Sequence, residues 1–245
     1  MTEARVLGDI GHILDRGNIL INPQFDINQR EWASGGNLVA VGDYAMDRWC
    51  AAIANTAPTL SGDILTIAAG DAIKQIVEDV NIPNGDYTIS WEGTAQLSID
   101  GGADQSSPHS FTVSSGTDVE IEFGPGTLQQ PMLVPGDFPL PFIRRQYSYE
   151  LILCQRYFLR MLGGRNGYGY RYMDSAFVNC VGQSGQFPVT MRTDPATTIA
   201  VAPTYTQCIL DNIISTNEGY AMRVEVSSAD QYRVYGGEFD FDAEL

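Results

Sequence analysis

The 245-residue sequence predicts a mainly β fold: an antiparallel sandwich, then a small β-domain carrying one α-helix, with a short helical arm at the N-terminus. Three observations predict it. Short apolar runs with period-2 alternation recur between turn signals at roughly 8–12-residue intervals, the rhythm of antiparallel sandwiches rather than of βαβ units. One run near the middle keeps helical spacing for about four turns. Composition also changes near 135–146: residues 1–143 carry a net charge of −14 and residues 144–245 one of −2, and ten of the twelve tyrosines follow the change.

The arm spans 1–17. Val6, Ile10, Ile13 and Leu14 repeat at steps of 4, 3 and 1, one helical face, and Gly17-Asn18 stops the helix. Barely two heptads are present, too few to stand alone in water, so the arm either packs on its own domain or docks on a neighbouring protein.

Residues 18–135 form the first β-domain, with strands expected at 18–22, 44–53, 63–68, 72–80, 86–93, 95–99, 110–113 and 118–123. Turn signals separate them, among them Pro83-Asn84-Gly85, Asp100-Gly101-Gly102, Ser115-Gly116-Thr117 and Gly124-Pro125-Gly126. Alternation places Tyr87, Ile89 and Trp91 on one face, expected to be core. Pro131, Pro135, Pro139 and Pro141 then crowd eleven residues. Proline removes ladder donors and stiffens the chain, so this stretch reads as a semi-rigid linker, set at 136–146.

The second domain, 147–245, begins with a helix predicted over 147–162. Ser148 serves as N-cap, Gly163-Gly164 ends the helix, and Leu151, Cys154, Phe158 and Leu162 form its apolar stripe. Strands are expected afterwards at 182–192, 197–201, 207–214, 221–226 and 231–235.

Net charge −16, with one lysine among fourteen cations, argues against a nucleic-acid partner, because phosphate neutralisation needs clustered cations. No run approaches the ~18 apolar residues of a membrane span, and the first residues lack the basic and apolar regions of a secretory leader. Cys50, Cys154, Cys180 and Cys208 are far apart in sequence and read as buried thiols.

No catalytic constellation emerges. His12 and His109 are the only histidines, with no Gly-x-Ser-x-Gly turn beside them. Gly164-Arg-Asn-Gly167-Tyr-Gly169 follows a helix where a phosphate-binding loop needs a preceding strand. Asp100-Gly-Gly-Ala-Asp104 lacks the calcium-loop spacing and reads as a turn. Glu120 and Glu122 point the same way on one strand, about 6.5 Å apart, a spacing that glycoside hydrolysis permits; a solvated sheet face explains them more simply. The sequence therefore reads as a non-enzymatic protein with no cofactor and no metal ligands.

A binding loop is more legible. Arg165, Asn166, Tyr168, Tyr170, Arg171 and Tyr172 combine flat aromatic faces with hydrogen-bonding heads. Such rings stack on sugar C–H faces while Arg and Asn bond hydroxyls, so these six residues are the candidate glycan contacts. A buried strand face or a subunit interface is the alternative use of the alternating tyrosines.

Four phrases then carry a resemblance. Asn18-Ile-Leu-Ile-Asn-Pro-Gln-Phe-Asp-Ile-Asn-Gln-Arg30, followed by Gly42-Asp-Tyr-Ala-Met-Asp-Arg-Trp49, resembles the opening of many bacteriophage tail-fibre proteins. Pro141-Phe-Ile-Arg-Arg-Gln-Tyr-Ser-Tyr-Glu-Leu-Ile-Leu-Cys-Gln-Arg-Tyr-Phe158 is similar to their later Pro-Phe-Glu-x-Arg-Pro-x-Gly-Glu-Glu phrase, differing at its Gln146-Tyr-Ser-Tyr149 step. Phe187-Pro-Val-Thr-Met-Arg-Thr-Asp-Pro195 and the terminal Asp242-Ala-Glu-Leu245 are similar to phrases in the same proteins. The resemblance implies a virion fibre or spike subunit, on a tail or a head vertex, whose first domain is a jelly-roll like those of carbohydrate-binding modules. It implies attachment to host-surface polysaccharide. The leading reading is a homo-oligomer of trimeric or other cyclic symmetry, assembled in the host cytoplasm, with residues 1–17 docking on other virion proteins through Val6, Ile10, Ile13 and Leu14. The alternatives are a purely structural decoration subunit and a polysaccharide-degrading spike.

Overall fold

Alternating apolar residues need a second layer to cover them, and this chain supplies it twice. In the computed structural model of the protein, residues 17–114, 116–162, 180–206, 208–226, 233–235 and 237–244 are described. The chain divides into two units, Met1–Glu150 and Leu151–Leu245. It is mainly β, 42% strand, with one α-helix among the described residues.

The first unit holds β1 (Cys50–Ala51), β2 (Thr59–Ser61), β3 (Ile64–Ile67), β4 (Ile73–Val77), β5 (Gly85–Gly93), β6 (Leu97–Ile99), β7 (His109–Val113), β8 (Val119–Phe123) and β9 (Gly126–Pro135). They form two antiparallel sheets, in the orders β1-β4-β8-β6 and β2-β3-β9-β5-β7. From β3 to β9 every successive strand lies in the other sheet. Both sheets feed one core in which Trp49, Ile73, Ile89, Leu97, Phe123 and Leu133 are essentially inaccessible to solvent. Tyr87, Ile89 and Trp91 are buried in it as their alternation predicts, and Trp91 meets Phe123 edge-on at 5.2 Å.

The segment 18–22 is not the expected strand. Asn18 and Ile19 instead bond the free edge of β9: Asn18 Nδ2 donates to the Pro131 carbonyl (2.8 Å), Asn18 Oδ1 accepts from Leu133 N–H (2.9 Å), and Ile19 N–H donates to the Leu133 carbonyl (2.9 Å). Two residues on, the Gln75 side-chain amide of β4 exchanges bonds of 2.8 Å with both Ile21 backbone groups. The segment thus runs from one sheet to the other, bonding backbone groups of β9 and a side chain of β4. The expected strand at 44–53 is also reduced, to β1; side-chain bonds from Asn22, Asp47 and Trp49 hold the chain around it in turns.

Pro131, the first of the crowded prolines that suggested a linker, lies inside β9, the longest strand of this unit. A bulge makes room for it. Ser90 opposes Met132 and Glu92 opposes Gln129, so Trp91 faces both Gln130 and Pro131. On the other side of β5, past the last pair with β7 (Ile89–His109), Trp91 N–H and C=O bond Ser107 Oγ at 2.9 and 2.8 Å. Asp100 and Gly101, both at positive φ, make the two-residue turn after β6, closed by Gly102 N–H on the Ile99 carbonyl.

The helix α1 (Tyr147–Gln155) is shorter than the 147–162 expected, and it starts from the Gln146 carbonyl, not from Ser148 as a cap. Residues 158–162 are a strand, β10 (Phe158–Leu162), paired with β17 (Glu238–Asp242), a strand that sequence reading missed. The apolar run 157–162 fits either period. Pairing decides it: Leu159 stands opposite Phe241, Met161 opposite Phe239, and Arg160 opposite Asp240, whose carboxylate takes two guanidinium bonds of 2.7 Å.

In the second unit β17 is the centre of a sheet with β10 and β12 (Ala196–Val201) at its sides. A second sheet has the order β11 (Cys180–Gln186), β15 (Gly219–Val226), β14 (Cys208–Thr216), and β13 (Thr204–Thr206) pairs with β16 (Arg233–Tyr235). Phe187, Tyr220 and Phe241 meet at ring distances of 4.8–6.1 Å in this unit's core.

Candidate functional site

The ten residues expected to contact glycan or anchor the arm, Arg165, Asn166, Tyr168, Tyr170, Arg171, Tyr172, Val6, Ile10, Ile13 and Leu14, lie outside the described residues. What the described residues build is a hydrogen-bonded frame with a small recess above it.

The frame centres on Asn22. Its Nδ2 donates to the Ile27 and Asp47 carbonyls at 2.8 and 2.9 Å, and its Oδ1 accepts from Ile27 N–H at 3.0 Å. Its carbonyl accepts from Trp49 Nε1 at 2.9 Å, and its N–H donates to Glu150 Oε1 at 2.6 Å. With every polar group engaged, Asn22 holds φ at +56°, a left-handed conformation that asparagine tolerates better than most side chains. The turn Asn22-Pro23-Gln24-Phe25 is closed by Phe25 N–H on the Asn22 carbonyl at 3.1 Å.

Arg145 and Glu150 lie below this turn. The guanidinium bonds both carboxylate oxygens at 2.7 and 2.9 Å, and also donates to the Leu20 carbonyl at 2.9 Å and to the Asn18 carbonyl. Both side chains are nearly buried, at 13% and 10% exposure, so the pair is partly desolvated and its bonds are the strong kind. At the surface Arg144 pairs with Asp26 at 2.7 Å.

Above the Arg145–Glu150 pair is a small recess of about 10 Å³, room for about one water molecule, bounded by Asn22, Pro23, Gln24, Asp26 and Tyr147. Tyr147 is 56% exposed. Neither the Gln24 amide nor the Tyr147 hydroxyl bonds a described residue. Sequence reading missed this recess because its walls are over 120 positions apart in the chain; both do fall within the tail-fibre-like phrases, the only signal that pointed here.

The carboxylate pair Glu120 and Glu122 lies on the outward face of β8, between the buried Val119, Ile121 and Phe123. Lys74 bonds Glu120 at 2.6 Å across the sheet. Burial, and then the Glu120 charge, raise the Glu122 carboxyl above its ordinary range, and Lys74 only partly offsets them. Among the described residues no group of three or more His, Cys, Asp or Glu side chains is placed to hold a metal ion, and no helix is long and apolar enough to cross a membrane. Cys50 and Cys154 carry buried thiols.

Fold and frame together define a mainly β protein built as two antiparallel-sheet units, with a hydrogen-bonded frame at the start of its helix. Comparison with protein-family models, with curated proteins and with solved structures returned no match to this chain.

Proposed function

We propose that the chain is a fibre or spike subunit of a phage-like virion that attaches, without catalysis, to host-surface polysaccharide, and that its first domain is a jelly-roll. One observation carries the reading. Within each unit, the phrases that resemble tail-fibre proteins bond one another. Asn18 and Asn22 of the opening bond Arg145 and Glu150 of the later phrase, as much as 128 positions away, and Trp49 Nε1 donates to the Asn22 carbonyl. In the second unit Arg192 N–H bonds the Arg156 carbonyl at 2.8 Å, its guanidinium bonds the Ala243 and Glu244 carbonyls at 2.9 and 3.1 Å, and Ala243 N–H bonds the Tyr157 carbonyl at 2.7 Å. Phrases that jointly tie a fold together are what a shared framework needs, which favours kinship over chance wording. The jelly-roll is supported by the strict crossing of successive strands between sheets and by the orders β3-β9-β5-β7 and β4-β8-β6.

The test is binding of the purified full-length protein to capsule or surface polysaccharide from the host that its virion infects. Retention on that polysaccharide, with no oligosaccharide released on incubation, is the expected result. Incorporation into particles with no retention on any host glycan makes the protein a decoration subunit, and released oligosaccharide makes it a degrading spike.

A further inference from the structure

We infer that the two ends of the first unit are joined by a force-bearing latch, Arg145 and Glu150 gripping the segment from Asn18 to Asn22, which carries tension along the chain past the sheets. Its use in holding a virion to a cell rests on the attachment reading; the latch itself does not. The observation is where the bonds lie. The described chain of this unit begins at Gly17, and the unit ends at Glu150. Chain ends often lie near one another at a domain surface, but here they are bonded directly. The Arg145 guanidinium donates to the Asn18 carbonyl and, at 2.9 Å, to the Leu20 carbonyl, while Glu150 Oε1 accepts the Asn22 N–H at 2.6 Å. Arg145 also bonds both Glu150 carboxylate oxygens at 2.7 and 2.9 Å, so the three crossing bonds share one ion pair. Each grip is charge-assisted and largely shielded from water, the conditions that make a hydrogen bond strong.

Without the latch, tension would take another path. On the outgoing side the chain from Gly136 to Arg144 leads straight back to β9; Gly136 bonds Asp86 and Thr88 of β5, and Arg144 meets Asp26 at the surface. On the incoming side Asn18 and Ile19 bond Pro131 and Leu133 of the same strand. A pull on both ends would converge on β9, which lies between β3 and β5, and open the sheet that it centres. The latch crosses from the incoming to the outgoing segment ahead of β9, so the load passes through an ion pair instead of through the core. The surroundings stiffen the grip. Ile27, Asp47 and Trp49 engage the remaining polar groups of Asn22, and Gln75 of β4 holds both backbone groups of Ile21. Glu150 therefore grips a segment anchored in both sheets.

The experiment holds full-length protein by peptide tags at its two termini in an optical trap and records lifetimes at constant force. Length tells the units apart: about 450 Å of extended chain for residues 18–150 against about 320 Å for 151–245. Three variants are compared with the unchanged protein. Glu150→Gln removes the charge, Arg145→Lys keeps the charge but loses the fork that reaches two carbonyls, and Ser107→Ala weakens the same unit away from the latch. Chemical unfolding measures what each change costs without load, and forced unfolding reads the unfolding rate. Expected are first-unit lifetimes shortened about tenfold or more in the two latch variants, and unchanged in Ser107→Ala although its chemical stability falls. Should Glu150→Gln not fold, Arg145→Lys decides alone. Lifetimes unchanged in the latch variants, or shortened as much in Ser107→Ala, overturn the latch. That outcome in a protein retained on host polysaccharide leaves the attachment reading standing. A latch found in a protein that holds no host polysaccharide removes that reading and keeps the latch.

Discussion

Arg145 and Glu150 are the residues on which the first unit most depends. Each is nearly buried, and Glu150 also accepts the Asn22 N–H. Glu150→Ala leaves a guanidinium without its counter-charge and a backbone donor without an acceptor, and removing one member of a buried pair costs about 3–5 kcal/mol. Chemical unfolding of the full-length protein should show a loss of that order, whereas Asp26→Ala, which breaks the exposed Arg144 pair, should cost under about 1 kcal/mol. Glu122 behaves oppositely. Its carboxyl is raised above the ordinary 4.5 by burial first and by Glu120 second, so the folded state binds its proton more tightly than the unfolded chain does. Stability is therefore lost as pH rises from the unfolded range through the raised folded one. Glu122→Gln should raise the thermal midpoint at pH 7 and raise it less at pH 4, a gain below about 1 kcal/mol for a charge still in contact with solvent. An equal gain at both pH values would show that ionisation of Glu122 is not its source.

At the scale of elements, the bulge between β5 and β9 decides whether a proline can sit in a sheet interior. On the opposite side of β5, Ser107 Oγ bonds both backbone groups of Trp91 beyond the end of the β5–β7 pairing. Ser107→Ala strands them beside a buried ring and should cost about 1–3 kcal/mol, with increased amide exchange at Trp91 as the local readout; unchanged exchange there would mean that another group satisfies them. Legibility follows the same physics. Where one face is buried and the other wet, as in Val119-Glu-Ile-Glu-Phe123, the alternation is visible and the strand was expected. Pro131 hid β9, because a bulge depends on what the neighbouring strand does opposite it. The run from Tyr157 to Leu162 looked helical because its apolar residues satisfy both periods, and only the partner strand at Glu238–Asp242 selected the extended form. The recess was hidden for the same reason. Gln24 and Tyr147 carry no local pattern, and the Glu150–Asn22 bond that brings their segments together spans most of the first unit.

For the whole molecule the charge division acquires a use. The acidic half, with its net −14, holds the two-sheet unit, and an anionic polysaccharide is repelled by such a surface. The arm makes a further prediction at this scale: protein lacking residues 1–17 should fold and keep its polysaccharide binding yet fail to enter particles, measured by particle composition after infection, and normal incorporation would remove the anchoring role of Val6, Ile10, Ile13 and Leu14. The sequence by itself determined that this is a mainly β protein in two parts, with Tyr87, Ile89 and Trp91 inside, because burial of one face writes a period of two into the chain. Tertiary structure alone decided where the helix ends, how Pro131 enters a strand, and that Asn18 and Asn22 close on Arg145 and Glu150. Those outcomes depend on hydrogen bonds between residues up to 128 positions apart, and no local pattern encodes which distant group will meet a buried donor.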